Sequence, residues 1–212
     1  MTSYLDSTRS SYDTVAADYH QIVAPMFDDP YHRAMLSLYA DLLAAGEGGR
    51  VGDLGCGPGH VTAYLAELGM DAFGMDLSPA MVEFARKEYP NLRFEVGSLL
   101  GLDLPDGGLA GALTFYSLVH TPAEDLPTVF AEIHRVLAPG GLYLHGFKAG
   151  TGTFHLTEGY GHPIDLKVYA YEPAAIHALL TAAGFSEVVT LTRPPIDWEK
   201  TAQAFLIYRK SA

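Results

Sequence analysis

The segment from Val51 to His60 reads Val-Gly-Asp-Leu-Gly-Cys-Gly-Pro-Gly-His, and no other part of the chain constrains the fold as strongly. An apolar run that leads into three alternating glycines predicts a strand, a tight loop and a helix that starts at His60. The glycines remove side chains where the chain turns sharply and where its backbone lies close to a bound molecule. A helix that starts there directs free N–H groups at that molecule. The loop therefore predicts a ligand site at the end of a buried strand.

An acidic residue, Asp76, stands just beyond a second predicted strand. A carboxylate about 20 residues after a glycine loop, at the tip of the next parallel strand, can accept hydrogen bonds from two ribose hydroxyls. The alternative is that Asp76 caps the helix that begins near Ser78 and Pro79. The two roles are compatible, and we favour ribose binding.

The spacing of the glycines argues against a dinucleotide. The dinucleotide pattern Gly-x-Gly-x-x-Gly needs a third glycine three residues after the second, where this chain has His60 after Gly57. A nucleoside with a short zwitterionic tail needs only ribose and carboxylate contacts, which the loop and Asp76 can supply.

Three segments together carry a family resemblance. They are residues 51–60, the run Met-Asp-Leu-Ser-Pro-Ala-Met at 75–81, and Glu-Ile-His-Arg-Val-Leu-Ala-Pro-Gly-Gly at 132–141. In these segments the chain resembles the class I methyltransferases that use S-adenosyl-L-methionine, in the small-molecule branch that includes ubiquinone and menaquinone methyltransferases. The resemblance implies S-adenosyl-L-methionine as cofactor and S-adenosyl-L-homocysteine as product.

The resemblance also implies a set of cofactor contacts. The glycine loop would hold the methionine part, with Asp53 orienting the loop or meeting the ammonium, and Asp76 would bind the ribose. The adenine would lie against apolar residues at the start of the following helix and against the residues after the third strand. The expected contact residues are Asp53, Gly55, Cys56, Gly57, Gly59, His60, Asp76, Leu77, Met81, Gly97, Ser98, Leu99, Tyr116, Tyr19 and Arg33.

Two positions depart from the family pattern. Ser98 stands where the family usually has an acidic residue that binds the adenine amino group, and Leu109-Ala110 stands where an Asp usually precedes the fourth strand. A hydroxyl can still accept one hydrogen bond, and the backbone at Leu99 can assist.

Strand and helix patterns alternate along the chain, which predicts an α/β fold with a mostly parallel sheet and helices on both faces. Two late strands joined without a helix must be antiparallel. The resemblance to the methyltransferases implies a Rossmann-like, seven-stranded sheet that ends in an antiparallel hairpin strand, and these two late strands would supply it. The predicted strands are 50–54, 72–75, 92–96, 111–115, 142–147, 185–191 and 201–208, and the predicted helices are 12–19, 30–45, 61–69, 79–88, 123–137 and 173–183.

The residues after the fourth strand are the catalytic candidates. His120 can act as a base that takes a hydroxyl proton, since its unperturbed pKa lies near neutrality. Alternatively it caps a helix before Pro122 or bonds a backbone carbonyl. Tyr116 is the second candidate, although its pKa of about 10 suits packing beside the cofactor better than acid–base work. The Asn- or Asp-Pro-Pro-aromatic motif of nucleic-acid amino methyltransferases is absent here.

Two segments outside the alternating core are predicted to set specificity within one domain, 1–212. Residues 1–48 form an N-terminal helical lid, in which Tyr12 and Tyr19 share one helical face. Residues 148–167 form a substrate-covering loop. Its His155, His162 and Asp165 match no compact zinc spacing, so we predict loop polarity and no metal site.

Composition excludes several function classes. The chain has 212 residues, a formal charge of −12 and one cysteine. The charge argues against nucleic acid or an anionic membrane as partner. The single cysteine and the lack of a long apolar run favour a cytoplasmic protein. The sequence does not specify the oligomeric state.

The sequence leaves three hypotheses for the function. The first is methyl transfer from S-adenosyl-L-methionine to a small molecule, by O-, N- or C-methylation. The alternatives are a nicotinamide-dependent oxidoreductase and a non-methylating protein of the same fold that binds S-adenosyl-L-methionine.

Overall fold

The computed structural model describes residues 3–46, 48–196 and 199–211, and in them nine strands form two sheets. The strands are β1 (Arg50–Leu54), β2 (Asp71–Asp76), β3 (Arg93–Val96), β4 (Leu109–Phe115), β5 (Leu137–Ala149), β6 (Thr153–Gly159), β7 (His162–Tyr169), β8 (Phe185–Arg193) and β9 (Ala202–Lys210). The helices are α1 (Tyr4–Val23), α2 (Pro30–Ala44), α3 (His60–Glu67), α4 (Pro79–Glu88), α5 (Leu126–Val136) and α6 (Pro173–Ala182), with short 3-10 turns at Ala24–Asp28 and Leu118–His120.

The large sheet has the predicted α/β architecture. Its strand order is β3-β2-β1-β4-β5-β9-β8. Strands β1 to β5 pair in parallel, and β9 lies antiparallel between β5 and β8. The strand order reverses between β1 and β4, which is where ligands bind in open α/β sheets. The predicted fold class and the antiparallel final strand are confirmed.

Two apolar cores cover the two faces of this sheet. One lies under α5 and α6 and contains Phe130, Tyr143 and Phe147, and the other lies under α2 and α3 and contains Tyr39 and Phe205. These five side chains are almost completely buried. Burying a large apolar side chain contributes roughly 1.5–3 kcal/mol. The cores hold the strands in register, so that the loops at the carboxyl ends of the strands lie in fixed positions.

The N-terminal helix α1 lies over the carboxyl edge of the sheet. Helix α1 spans Tyr4–Val23 and is longer than the predicted helix 12–19. It contacts β7 and α4. A small core of Val15, Ala16, Met81, Ile164 and Leu166 joins these three elements.

The predicted loop at 148–167 is a β-hairpin instead. Strands β6 and β7 pair antiparallel, and Gly159 pairs with His162 across the turn. The two turn residues, Tyr160 and Gly161, have φ of 58° and 80°. Positive φ at both central residues is the type I′ geometry that matches the twist of a hairpin. We call α1 together with this hairpin the lid.

Candidate functional site

The glycine loop folds back on the end of β2. The backbone N–H groups of Gly55 and Cys56 both donate to the carbonyl of Met75, at 2.6 and 3.0 Å. Gly55, Gly57 and Gly59 have φ of 83°, 52° and 89°. These are left-handed conformations, which glycine adopts without the steric penalty of a Cβ. The loop needs glycines for its backbone geometry as well as for ligand approach.

The free space beside these glycines differs. A Cβ on Gly55 would lie 2.2 Å from the Cβ of Ser117, so no side chain fits there. A Cβ on Gly57 would have one neighbour within 4 Å, a ring carbon of Tyr19 at 3.9 Å. Gly57 therefore borders open space, and Tyr19 of α1 lies on the other side of it. A ligand in this space could contact the backbone of Gly57.

Asp76 bridges the glycine loop and the start of α4. Its Oδ2 accepts from the Gly57 N–H and its Oδ1 from the Ser78 N–H, both at 2.8 Å. The N-cap of α4 is Ser78, whose Oγ accepts from the Met81 N–H. Asp76 is therefore not the helix cap. Each carboxylate oxygen retains a lone pair for a further donor such as a ribose hydroxyl.

Asp53 is a second carboxylate beneath the loop. It is buried, and its Oδ2 accepts from the Thr62 hydroxyl at 2.6 Å. Burial, with a smaller contribution from the nearby Asp76, raises the pKa of Asp53 to about 7. Burial also raises the pKa of Asp76. A positively charged ligand near these carboxylates would favour both ionised forms.

His60 opens helix α3 beside the loop. Its ring stacks on His20, with 3.4 Å between His60 Nε2 and His20 Nδ1. Within the described part of the chain, the buried Nδ1 of His60 has no hydrogen-bond partner. Burial, together with His20, lowers the pKa of His60. His60 thus places a neutral imidazole, with its Nδ1 buried, beside the predicted cofactor site.

The predicted adenine contacts lie in two segments, one at the start of α4 and one after β3. Leu77 is partly buried, while Met81 is fully buried in the core under the lid. After β3, Ser98 Oγ accepts from the Leu100 N–H at 3.3 Å, and Leu99 packs against the large core. A Cβ on Gly97 would lie 2.4 Å from the Met75 sulfur, so this position needs glycine for packing.

Two other predicted contacts point to different roles. Cys56 is buried, and burial raises the pKa of its thiol well above the usual value, which disfavours a reactive thiolate. Arg33 is exposed and donates to the carbonyl of Phe27. In the structure that guanidinium ties α2 to the preceding 3-10 turn.

His120 is engaged at both ring nitrogens. Its Nδ1 lies 2.7 Å from the Lys167 carbonyl and its Nε2 lies 2.8 Å from the Tyr12 hydroxyl. A carbonyl can only accept, so Nδ1 carries the proton and Nε2 accepts from Tyr12. Burial lowers the pKa of His120. His120 therefore connects β7 and α1 of the lid to the loop after β4; we call this the His120–Tyr12 pair.

Tyr116 forms a second pair of the same design, with His32 of α2. The Tyr116 hydroxyl lies 3.1 Å from His32 Nε2, and His32 Nδ1 lies 2.7 Å from the Met26 carbonyl. Tyr116 has φ of 61°, an uncommon conformation for a residue with a side chain. We call this the His32–Tyr116 pair.

A buried ion cluster lies beside the His32–Tyr116 pair. Arg193, which is 3% exposed, donates to Asp29 at 2.7 Å and to both carboxylate oxygens of Glu199. Asp29 also caps α2 by accepting from the Tyr31 N–H. Sequence reasoning missed His32 and Arg193, because each belongs to this site only through partners that are far away in sequence.

The histidines of the hairpin bind carboxylates. His155 Nε2 lies 2.7 Å from Asp165, and His162 Nε2 lies 2.7 Å from Asp18 of α1. In residues 3–46, 48–196 and 199–211 no three His, Cys, Asp or Glu side chains group as metal ligands would. These polar contacts fasten the hairpin to itself and to α1.

Comparison with known proteins gives a family match for part of the chain. Residues 51–141 match the family described as "Methyltransferase domain". The chain is 35% identical over 92 residues to malonyl-[acyl-carrier protein] O-methyltransferase of Serratia marcescens, covering 43% of this chain and 35% of that protein. It is 31% identical over 144 residues to demethylmenaquinone methyltransferase of Chlorobaculum parvum, covering 66% of this chain and 59% of that protein. Against the first five curated relatives, the chain spans between 35% and 59% of their length.

A solved structure agrees over the whole chain. The fold is similar to that of 1,6-didemethyltoxoflavin-N1-methyltransferase of Burkholderia thailandensis, solved with bound 1,6-didemethyltoxoflavin and S-adenosylhomocysteine. The TM-score is 0.71 and the identity 21%, with coverage of 100% of this chain and 92% of that one. The chain therefore shares the fold of that methyltransferase, and its residues 51–141 match the methyltransferase-domain family. Within the described residues, no helix combines the length and the apolar character needed to cross a membrane.

Proposed function

We propose that this protein binds S-adenosyl-L-methionine and transfers its methyl group to a small-molecule acceptor, releasing S-adenosyl-L-homocysteine. The observation that carries the proposal is the junction of the glycine loop with Asp76. There, one carboxylate accepts from the Gly57 N–H and still offers lone pairs toward the open space beside Gly57. A ribose with two hydroxyls and a cationic tail is complementary to this arrangement.

The chain's residues would divide the binding work between the two ends of the cofactor. Asp76 would hold the ribose, and Asp53 would favour the positive charge near the methionine end. When bound, S-adenosyl-L-methionine supplies an activated methyl group for in-line transfer. The protein's task is then to align the acceptor and exclude water, and alignment of this kind can contribute roughly 7 to 11 kcal/mol.

The position of the lid favours a small acceptor that is enclosed when bound. Helix α1 carries Tyr19 to the edge of the glycine loop, and its Tyr12 reaches His120 after β4. We propose that the acceptor lies between the cofactor and these residues, with Tyr116 and His120 on its border. His120 is proposed to hold the lid through Tyr12, and its use as a base stays a prediction that we test below.

The remaining proposals concern partners and compartment. The charge of −12 supports a small-molecule acceptor over a nucleic acid. The single cysteine supports a reducing compartment, the cytoplasm. The methylated atom, whether O, N or C, follows from the acceptor, and the protein's relatives are named for different acceptors.

Calorimetry with S-adenosyl-L-homocysteine tests the cofactor proposal. We expect one site per chain, and Asp76→Ala should weaken binding by about 1.5 to 3 kcal/mol, the range for hydrogen bonds to a charged group. Asp71→Ala is the matched control, since Asp71 begins the same strand at its opposite end and its side chain is 67% exposed. Equal affinity in parent and Asp76→Ala would remove Asp76 from the site.

Two further measurements separate the alternatives. Binding of NADH in place of S-adenosyl-L-homocysteine would favour the oxidoreductase. Binding of S-adenosyl-L-methionine without turnover for any candidate acceptor would favour a non-methylating protein of this fold.

A further inference from the structure

We propose that Tyr116 and His32 together remove the proton from a neutral hydroxyl acceptor, a phenol, an enol or an alcohol. This inference rests on the proposed methyl transfer and names the substrate class for it. Tyr116 would touch the acceptor, while His32 would act through Tyr116.

The backbone at Tyr116 directs its side chain onto His32. Successive side chains of a strand point to opposite faces, so Tyr116 would leave the face of Phe115 if β4 simply continued. Instead its φ of 61° places its ring against the same core as Phe115, in contact with His32. Strained backbone of this kind persists where the surrounding structure holds it, and it concentrates at functional sites.

The backbone of Tyr116 lies at the carboxyl edge of the sheet. Its N–H donates to the Gly146 carbonyl at 2.8 Å, which extends the pairing of β4 with β5 by one residue. The next residue, Ser117, donates to the Leu54 carbonyl and lies where a side chain on Gly55 would be. Tyr116 is therefore the neighbour of the residue that contacts the glycine loop.

His32 is arranged to receive a proton at Nε2. Its Nδ1 proton is used by the Met26 carbonyl at 2.7 Å, which leaves the Nε2 lone pair for the Tyr116 hydroxyl at 3.1 Å. The ring is 8% exposed, so water does not compete freely for this nitrogen.

Two of the three charged groups around His32 favour a positive imidazole. Its Nε2 lies 3.7 Å from Asp29, and the group of Asp29, Glu199 and Arg193 carries one net negative charge. Burial is the main cause that lowers the pKa of His32; Asp29 and Glu199 raise it and Arg193 lowers it.

His120 has different surroundings. Burial again lowers its pKa, but the charged group that acts on it is the cation Lys148, which lowers the pKa further. The nearby charged groups therefore include carboxylates at His32 and a cation at His120.

The proton transfer balances without any other reactant. The acceptor oxygen gives its proton to the Tyr116 oxygen as the Tyr116 proton passes to His32 Nε2. The acceptor oxygen then forms the bond to the methyl carbon, and the electron pair of the carbon–sulfur bond stays on sulfur. Burial raises the pKa of Tyr116 above its usual value, so the positive charge rests on His32 and a free phenolate at Tyr116 is avoided.

The first test needs no acceptor. The ¹⁵N shifts of the His32 ring are measured in the whole protein at pH 7, with the signals assigned by their loss in His32→Asn. We expect the proton on Nδ1, and an Nε2 shift that changes in Tyr116→Phe. In Asp29→Asn, which keeps a capping side chain on α2, the titration midpoint of His32 should fall. A proton on Nε2 would overturn the proposal, because Nε2 would then have no lone pair to offer.

The second test uses a panel of phenols, enols, alcohols, carboxylic acids and amines with S-adenosyl-L-methionine, and follows S-adenosyl-L-homocysteine release. We expect turnover of hydroxyl compounds, with kcat lowered 10²- to 10⁴-fold in Tyr116→Phe and His32→Asn and with KM changed little. The double variant should be no slower than either single one, since the two residues act as a unit.

Tyr39→Phe is the matched control, because it removes a buried hydroxyl that bonds the Ala112 carbonyl in the same core, away from the carboxyl edge. It should melt earlier and turn over as the parent does. Turnover of Tyr116→Phe within threefold of the parent, or turnover of carboxylic acids alone, would overturn the proposal. Failure to bind S-adenosyl-L-homocysteine in calorimetry would instead overturn the proposed function.

Discussion

The two halves of the sheet's carboxyl edge are built differently. Around β1 and β2 the site is made mainly of backbone. Its parts are the left-handed glycines, the Gly57 N–H that donates to Asp76, and the Met75 carbonyl that binds the loop to β2. Around β4 and β5 it is made of side chains from remote segments, such as Tyr12 on His120 and His32 on Tyr116. We call these the cofactor half and the acceptor half. The difference implies that cofactor binding depends on loop conformation, whereas the acceptor half can be altered one side chain at a time.

Gly57→Val should have the largest effect, because it acts on the backbone of the cofactor half. A β-branched residue at φ of 52° is strained, and its side chain would fill the space that Tyr19 faces. We expect calorimetry to detect no binding of S-adenosyl-L-homocysteine.

The control for this variant is Gly69→Val. Gly69 has φ of 86°, nothing lies within 4 Å of a Cβ built there, and it follows α3 away from the glycine loop. Both variants should lose stability, but only Gly57→Val should lose the ligand. Retained affinity in a folded Gly57→Val protein would mean that the loop does not contact the cofactor.

The next prediction concerns pH and Asp53 of the cofactor half. Burial raises its pKa from 3.8 to about 7 in the folded protein. The stability that Asp53 contributes is therefore fully present below about pH 4, where the residue is protonated in both states, and is lost as pH rises through 7. The shift of about three pH units corresponds to roughly 4 kcal/mol at most.

Urea unfolding across pH 4 to 8 checks this prediction. The free energy of unfolding of the parent should fall relative to that of Asp53→Asn as pH rises, because the amide cannot ionise. Saturating S-adenosyl-L-homocysteine, whose ammonium favours the ionised carboxylate, should reduce the difference. Parallel profiles for parent and variant would show that Asp53 ionises in the folded state as easily as in the unfolded chain.

The same division explains what sequence could predict. The glycine loop, the place of Asp76 at the end of β2 and the succession of strands and helices along the chain follow from local patterns, since periodicity and turn residues act within about 25 residues. His32 gives no such signal, because its role depends on Tyr116, 84 residues away. The hairpin did give a signal: Ile164, Leu166 and Val168 alternate with polar residues, and Tyr160-Gly161 forms the turn. The same segment contains His155 and His162 and several glycines, and this polar, glycine-rich composition favours a loop.

His120→Ala should have a smaller effect, and it sharpens the comparison within the acceptor half. Two hydrogen bonds are lost, to Tyr12 and to the Lys167 carbonyl, so we expect a loss of about 1 to 3 kcal/mol of stability. Affinity for S-adenosyl-L-homocysteine should stay within severalfold of the parent, and turnover should slow by less than about tenfold, below the usual effect of removing a base. A slowing of 10²- to 10⁴-fold with unchanged melting would make His120 the base and would move the proton transfer away from the His32–Tyr116 pair.

The smallest expected effect is that of Tyr12→Phe, which removes the hydroxyl between the lid and His120. The ring stays packed against Tyr19 at a centroid distance of 5.4 Å, so the apolar contact of α1 is kept. The lost hydrogen bond should cost about 1 kcal/mol of stability. Combined with His120→Ala in a double-mutant cycle, the two changes should cost about 1 kcal/mol less than the sum of the singles, because they remove the same bond. Additive losses would mean that the lid and the loop after β4 are held together by other contacts, and that the His120–Tyr12 pair is packing alone.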